Sequence, residues 1–114
     1  MELKVRKAGT IYIVDINGEM DLYNAYKLKE LVLKMIEKGI KNYVINLELV
    51  DYIDSSGIGS LIYICSTLKK NNMAYYISDV HGSVKKVMDL TKLTSFFPIT
   101  ANVDDAVLKL DAVQ

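Results

Sequence analysis

Val50-Asp51-Tyr52-Ile53-Asp54-Ser55-Ser56-Gly57-Ile58-Gly59-Ser60 is where the chain changes character: an apolar run stops on two adjacent hydroxyls and a new amphipathic segment begins. That change reads as a strand delivering the chain into the N-terminus of a helix. The first amide N–H groups of a helix lack intrahelical partners, and the helix dipole adds about half a positive charge there, so a phosphate can be held at that point. Ser55 is therefore a candidate phosphoacceptor. Asp and Ser are also preferred N-caps and glycine eases a turn, so the same residues suit a helix start with no chemistry attached, and that is the more common use of so short a motif taken alone.

Outward from this block the periodicities alternate. Leu3 to Lys7 and Thr10 to Asn17 are rich in β-branched and aromatic residues around Ala8-Gly9, which predicts a hairpin. Leu28, Leu31, Val32, Met35 and Ile36 follow the spacing of a helix buried on one face, capped by Asp21 or Asn24 and stopped by Gly39. Tyr43 to Leu47 is a short apolar run typical of a strand covered on both faces. Ile58, Leu61, Ile62, Cys65 and Leu68 mark a second helix ending near Asn71-Asn72. Met73 to Ser78 predicts a strand, Asp79 to Gly82 a loop, and Ser83 the cap of a third helix through Val84, Val87 and Met88. A short element around Phe96 to Thr100 precedes a terminal helix through Val103, Ala106, Val107 and Leu110, capped by Asn102 or Thr100. The order ββαβαβαβα implies an α/β layer sandwich: a mixed, mostly parallel sheet that starts with a hairpin and is flanked by about four helices. In such sheets functional loops lie beyond the carboxyl ends of the parallel strands, where Asp54-Ser55-Ser56-Gly57 falls.

The 114 residues are enough for one domain spanning 1–114, with no linker, repeat or low-complexity segment. Fourteen basic residues balance fourteen acidic ones, and the pairs Lys69-Lys70 and Lys85-Lys86 form no basic stripe, which argues against nucleic acid. Met1 is followed by a charged segment with no signal-peptide core, and no apolar run approaches membrane-spanning length, so a cytoplasmic protein without a membrane anchor is expected. Cys65 is the only cysteine and its apolar neighbours make it a buried thiol. His81 is the only histidine, which leaves neither a metal site nor a ready general base. Gly57-Ile58-Gly59 lacks the rest of a dinucleotide fingerprint, and no cofactor is expected.

Gly18-Glu19-Met20-Asp21, Ala25 and Leu28, Asn46-Leu47, Asp54-Ser55-Ser56-Gly57-Ile58-Gly59, and Met88-Asp89-Leu90-Thr91 ahead of Leu93 and Phe96 together resemble the STAS-domain anti-sigma factor antagonists. The likeness spans nearly the whole chain, and its specific part is the Asp-Ser-Ser-Gly block. It implies a non-enzymatic switch, with Ser55 phosphorylated by a partner that is both anti-sigma factor and serine kinase. The unphosphorylated form would bind that partner and free the sigma factor, and a serine phosphatase would reset it. Asp21, Asp54, Ser55, Ser56 and Gly57 are the partner-binding positions so implied. Three positions depart from the pattern: Asp51 adds a negative charge near Ser55, Lys92 stands where glycine is common, and Tyr26 where proline often opens the helix. Two other readings compete. The chain could serve as a STAS module in a different stress-sensing complex, or Ser55 or Ser56 could be an enzyme's nucleophile, for which the Gly-x-Ser-x-Gly elbow is missing.

Overall fold

Five strands hydrogen-bond in the spatial order β1-β2-β3-β4-β5 in the computed structural model, which describes residues 1–112. The chain runs β1 (Glu2–Ala8), β2 (Ile11–Met20), α1 (Ala25–Glu37), β3 (Asn42–Ile53), α2 (Ser55–Lys70), β4 (Ala74–Ser78), α3 (Gly82–Leu90), β5 (Ile99–Thr100) and α4 (Val103–Ala112). β1 and β2 pair antiparallel through the Gly9 turn, and the remaining pairs are parallel. The expected element order and layer sandwich are both found.

Alternation along β2 and β3 sends side chains to two cores. Val14, Ile16, Tyr43, Ile45 and Leu47 meet Leu28 and Val32 of α1, Leu61 and Leu68 of α2, and Val84 and Met88 of α3. On the opposite face Ile11, Ile13 and Val44 meet a single helix, through Ala106 and Leu110 of α4 with Val103 and Val107 at the margin. Each fully buried Leu or Ile contributes roughly 2 kcal/mol of apolar transfer energy, so the three-helix face is the principal source of stability.

Three helices end alike. Gly39, Asn72 and Lys92 have φ of +81°, +59° and +59°, and the amide after each donates back to Met35, Leu68 and Met88 respectively. This is the left-handed C-terminal closure that satisfies orphan carbonyls. Lys92 thus does occupy a conformation that favours glycine.

The structure corrects three local expectations. β3 continues to Ile53, six residues past the apolar run, because its pairing with β2 slips by one residue twice, once between Asp15 and Asn17 and again between Gly18 and Glu19. The bulges turn the buried positions into Leu47, Val50 and Ile53, a spacing of three that a two-residue strand alternation does not register. Ser83 does not cap α3: the cap position is His81, and the Ser83 hydroxyl donates to the Asp51 carbonyl at 2.7 Å. Asn24 holds the cap position of α1 but its side chain bonds backwards, accepting from the Asp21 amide at 3.0 Å, while Asp21 Oδ1 accepts from the Tyr23 and Asn24 amides. Asp21 and Asn24 stabilise the turn before the helix instead of its first-turn amides. Asn102 behaves as expected, its side chain accepting from the Asp105 amide at 2.8 Å.

Candidate functional site: an exposed serine on a fastened pair of loops

Ser55 is the first residue of α2 and is exposed, whereas Ser56 is half-buried and Gly57 is buried. The difference is geometric: α2 starts at the carboxyl end of β3 with Gly57 and Ile58 turned into the core, which leaves Ser55 on the outer side of the first turn. Asp54 caps the helix in extended conformation, its Oδ1 accepting from the Gly57 amide at 3.0 Å. Its Oδ2 accepts from the Leu22 amide at 3.1 Å, thirty-two residues away in the β2–α1 loop. The Asp54 amide in turn donates to the Met20 carbonyl at 3.1 Å. One residue therefore fastens the helix carrying Ser55 to the loop carrying Asp21. A hydrogen bond to a charged acceptor contributes about 1.5–3 kcal/mol, enough to hold two loops in fixed register.

Gly57 makes the approach possible. A Cβ there would lie 2.5 Å from the Met20 carbonyl oxygen and 2.6 Å from Ile53 Cγ1, closer than any side chain tolerates. Its contribution to the site is the absence of a side chain.

The rim around Ser55 is apolar and acidic at once. Leu22 is 68% and Tyr23 83% exposed, large apolar side chains presented to solvent by the fastened loop, and Tyr26 and Tyr52 are about half exposed. Asp21 and Asp54 are half-buried and Asp51 exposed on the same end of the sheet, and none belongs to either ion pair found among the described residues, Arg6–Asp15 and Lys85–Asp89. Lys27 and the Lys85-Lys86 pair stand near the starts of α1 and α3 at this end, but five lysines lie at the other: Lys34 and Lys38 close α1, Lys41 precedes β3, and Lys69 and Lys70 close α2. The three aspartates at the carboxyl ends of the parallel strands and the five lysines at the opposite pole give the chain a charge asymmetry that its zero net charge conceals.

Sequence reading brought Asp21, Asp54, Ser55, Ser56 and Gly57 together, and the structure places all five at one junction. It missed Leu22 and Tyr23. Their only signal was two adjacent large apolar residues outside the periodicity that begins at Leu28. His81 is spoken for, its Nε2 lying 2.7 Å from the Glu48 carbonyl. The Ser55 hydroxyl is bonded to neither an imidazole nor a carboxylate among the described residues.

Comparison with known proteins agrees with this geometry. The family model described as the STAS domain matches residues 2–106. The anti-sigma-B factor antagonist of Staphylococcus aureus is 28% identical over 93 residues, covering 82% of this chain and 86% of the relative. Among solved structures, an anti-sigma factor antagonist from Mycobacterium paratuberculosis superimposes with a TM-score of 0.85 at 22% identity, covering 95% of this chain and 92% of that one. The Bacillus cell fate determinant SpoIIAA in its phosphorylated form gives 0.74 at 16% identity, over 96% and 99%. With a family model matched over nearly its full length and the same fold shared with those structures, this chain belongs to the STAS domain family.

Proposed function

We propose that this protein is an anti-sigma factor antagonist whose binding is switched off by phosphorylation of Ser55. Its partner is an anti-sigma factor with serine kinase activity, and a serine phosphatase restores the binding form in the cytoplasm. The observation that carries the reading is the exposed Ser55 on the first turn of α2, framed by the solvent-facing Leu22 and Tyr23 and fastened to them through Asp54. The Staphylococcus aureus relative is an anti-sigma-B factor antagonist and the Bacillus neighbour exists in a phosphorylated form, which supports carrying both properties over.

The switch follows from electrostatics. A phosphate on Ser55 adds a charge of about −1.5 to −2 beside Asp54 and Asp51, and the helix dipole offsets only about 0.3–1 kcal/mol of that at an exposed position. A partner surface seated on Leu22, Tyr23 and the free hydroxyl would have to bury an unpaired dianion, at a cost of several kcal/mol. Refolding is not needed and would be prohibitive: Leu61, Cys65 and Leu68 of the same helix are fully buried, at roughly 2 kcal/mol per large side chain.

The test is phosphorylation by the cognate kinase followed by mass spectrometry and a binding assay. Modification is expected on Ser55. Ser55→Ala should bind and resist phosphorylation, and Ser55→Glu should weaken binding only in part, because a carboxylate carries less charge than phosphate. Modification confined to Ser56, or undiminished binding of the phosphorylated protein, would overturn the proposal.

A further inference from the structure

At the other pole, where α2 ends, two adjoining clefts of about 510 and 540 Å3 share Lys69, Tyr75, Ser95 and Phe96. Both volumes fall within the range of small-molecule sites, roughly 300–1,000 Å3. The walls are aromatic: Tyr75 and Tyr76 of β4 on one side, Phe96 with its edge-on partner Phe97 on the other, ring centroids 5.1 Å apart. Phe96 is 51% exposed, although the neighbouring Phe97 is buried.

Three kinds of polar group open into this space. β4 alternates its backbone groups, with the Ala74 amide donating to Lys41 on the β3 side and the Ile77 amide to Pro98 on the β5 side. Tyr75 shares the outward direction of Ile77, but β5 starts only at Ile99, opposite Ile77, so no strand lies beside the Tyr75 N–H and C=O among the described residues. Lys69 and Lys70 stand on the rim, neither in an ion pair among the described residues, and no carboxylate of a described residue lines either cleft. Two ammonium groups outweigh the roughly half negative charge of the α2 carbonyl end, leaving a net positive mouth. Burial pushes the Tyr75 phenol and the Cys65 thiol up to about 12, so both stay neutral and, among the described residues lining the clefts, the lysines set the sign of the charge.

We propose that this double cleft is a binding site for a small amphipathic anion: an apolar aromatic or acyl body held between Tyr75 and Phe96, with one acidic head group on Lys69 and Lys70. The site is independent of the Ser55 surface, which lies fourteen residues earlier along α2, about 21 Å at 1.5 Å per residue.

The experiment titrates the purified protein with the fluorescent probe anilinonaphthalene sulfonate, follows amide spectra, and repeats the titration with the uncharged phenylnaphthylamine. Saturable binding is expected, with shifts centred on Tyr75, Ser95 and Phe96 and the uncharged probe about tenfold weaker. Lys69→Gln combined with Lys70→Gln should raise Kd for the sulfonate about tenfold and close the gap between the two probes. Phe96→Ser, at a half-exposed position that leaves the core intact, should weaken both probes. Competition then separates the ligand classes, displacement by dodecanoate indicating an acyl body and displacement by naphthoate alone a flat aromatic one. Shifts centred on Leu22 and Tyr23, equal affinity for the two probes, unchanged Kd in the variants, or displacement by neither acid would overturn the assignment.

Discussion

Replacing Gly57 and Gly59 by alanine should move stability in opposite directions, although the two glycines sit two residues apart in one helix. At Gly57 the new methyl would lie 2.5 Å from the Met20 carbonyl oxygen and 2.6 Å from Ile53 Cγ1. The first obstacle is backbone, and it already accepts the Asp54 amide, so making room means separating the two loops that Asp54 joins. Overpacking of this kind costs typically 1–3 kcal/mol, and the rigid obstacle argues for the upper half of that range even after the better helix propensity of alanine is credited. At Gly59 nothing lies within 4 Å of the added methyl, so alanine should gain about 0.5–1 kcal/mol by restricting the unfolded chain. With a urea slope of about 1.5 kcal/mol/M, the unfolding midpoint should fall by roughly 1.5 M in Gly57→Ala and rise by about 0.5 M in Gly59→Ala. Urea titrations followed by circular dichroism measure both. Midpoints moving together, in either direction, would refute the claim that the Met20 carbonyl and not helix propensity dictates glycine at position 57.

Asp21→Lys should lose the two amide contacts of Oδ1, costing about 1 kcal/mol and a few degrees of Tm, while weakening partner binding at least tenfold by calorimetry through charge reversal beside Ser55. Lys92→Gly should raise Tm by a few degrees in a thermal scan, since a left-handed residue with a side chain costs about 1 kcal/mol. For pH, burial pushes the Asp15 carboxyl up, but its bonds from Arg6 and Asn46 outweigh that and hold it below the usual aspartate value. The stabilisation is therefore complete above the unfolded value of about 3.9 and lost as pH falls through the lower folded value. Asp15→Asn should flatten that part of the acid unfolding profile.

Much of this was legible in residues alone, for identifiable reasons. The α1 and α2 stripes announce themselves because long helices repeat the 3.6-residue signal several times, and Ser55 stands out because strand and helix patterns collide there. The second half of β3 stayed hidden because two bulges convert its alternation into a spacing of three, and bulges depend on the partner strand. Ser83 looked like a cap since hydroxyls usually serve that way, but its nearest acceptor is the Asp51 carbonyl on the extended β3, a strand end that sequence had not located. The sequence left the cap of α2 open between an aspartate and a serine, and Asp54 takes it; that its second oxygen holds the Leu22 amide is a tertiary fact, invisible until β2 and β3 lie side by side. Leu22 and Tyr23 were passed over because loop apolar residues carry no period.

The separation of acidic and basic side chains between the two ends of the sheet also bears on how fast a partner is met. A chain with equal numbers of acids and bases has no net pull on another charged molecule, but Asp21, Asp51 and Asp54 at one end, offset in part by Lys27, Lys85 and Lys86, and Lys34, Lys38, Lys41, Lys69 and Lys70 at the other give it an electric dipole. Approaching a cationic surface within a Debye length, about 8 Å at physiological ionic strength, such a molecule is turned so that Ser55 leads. Its association rate would then fall with added salt despite its zero net charge. A phosphate on Ser55 deepens the negative end, so the modified protein would be delivered in the same orientation as the free one, even where it can no longer seat.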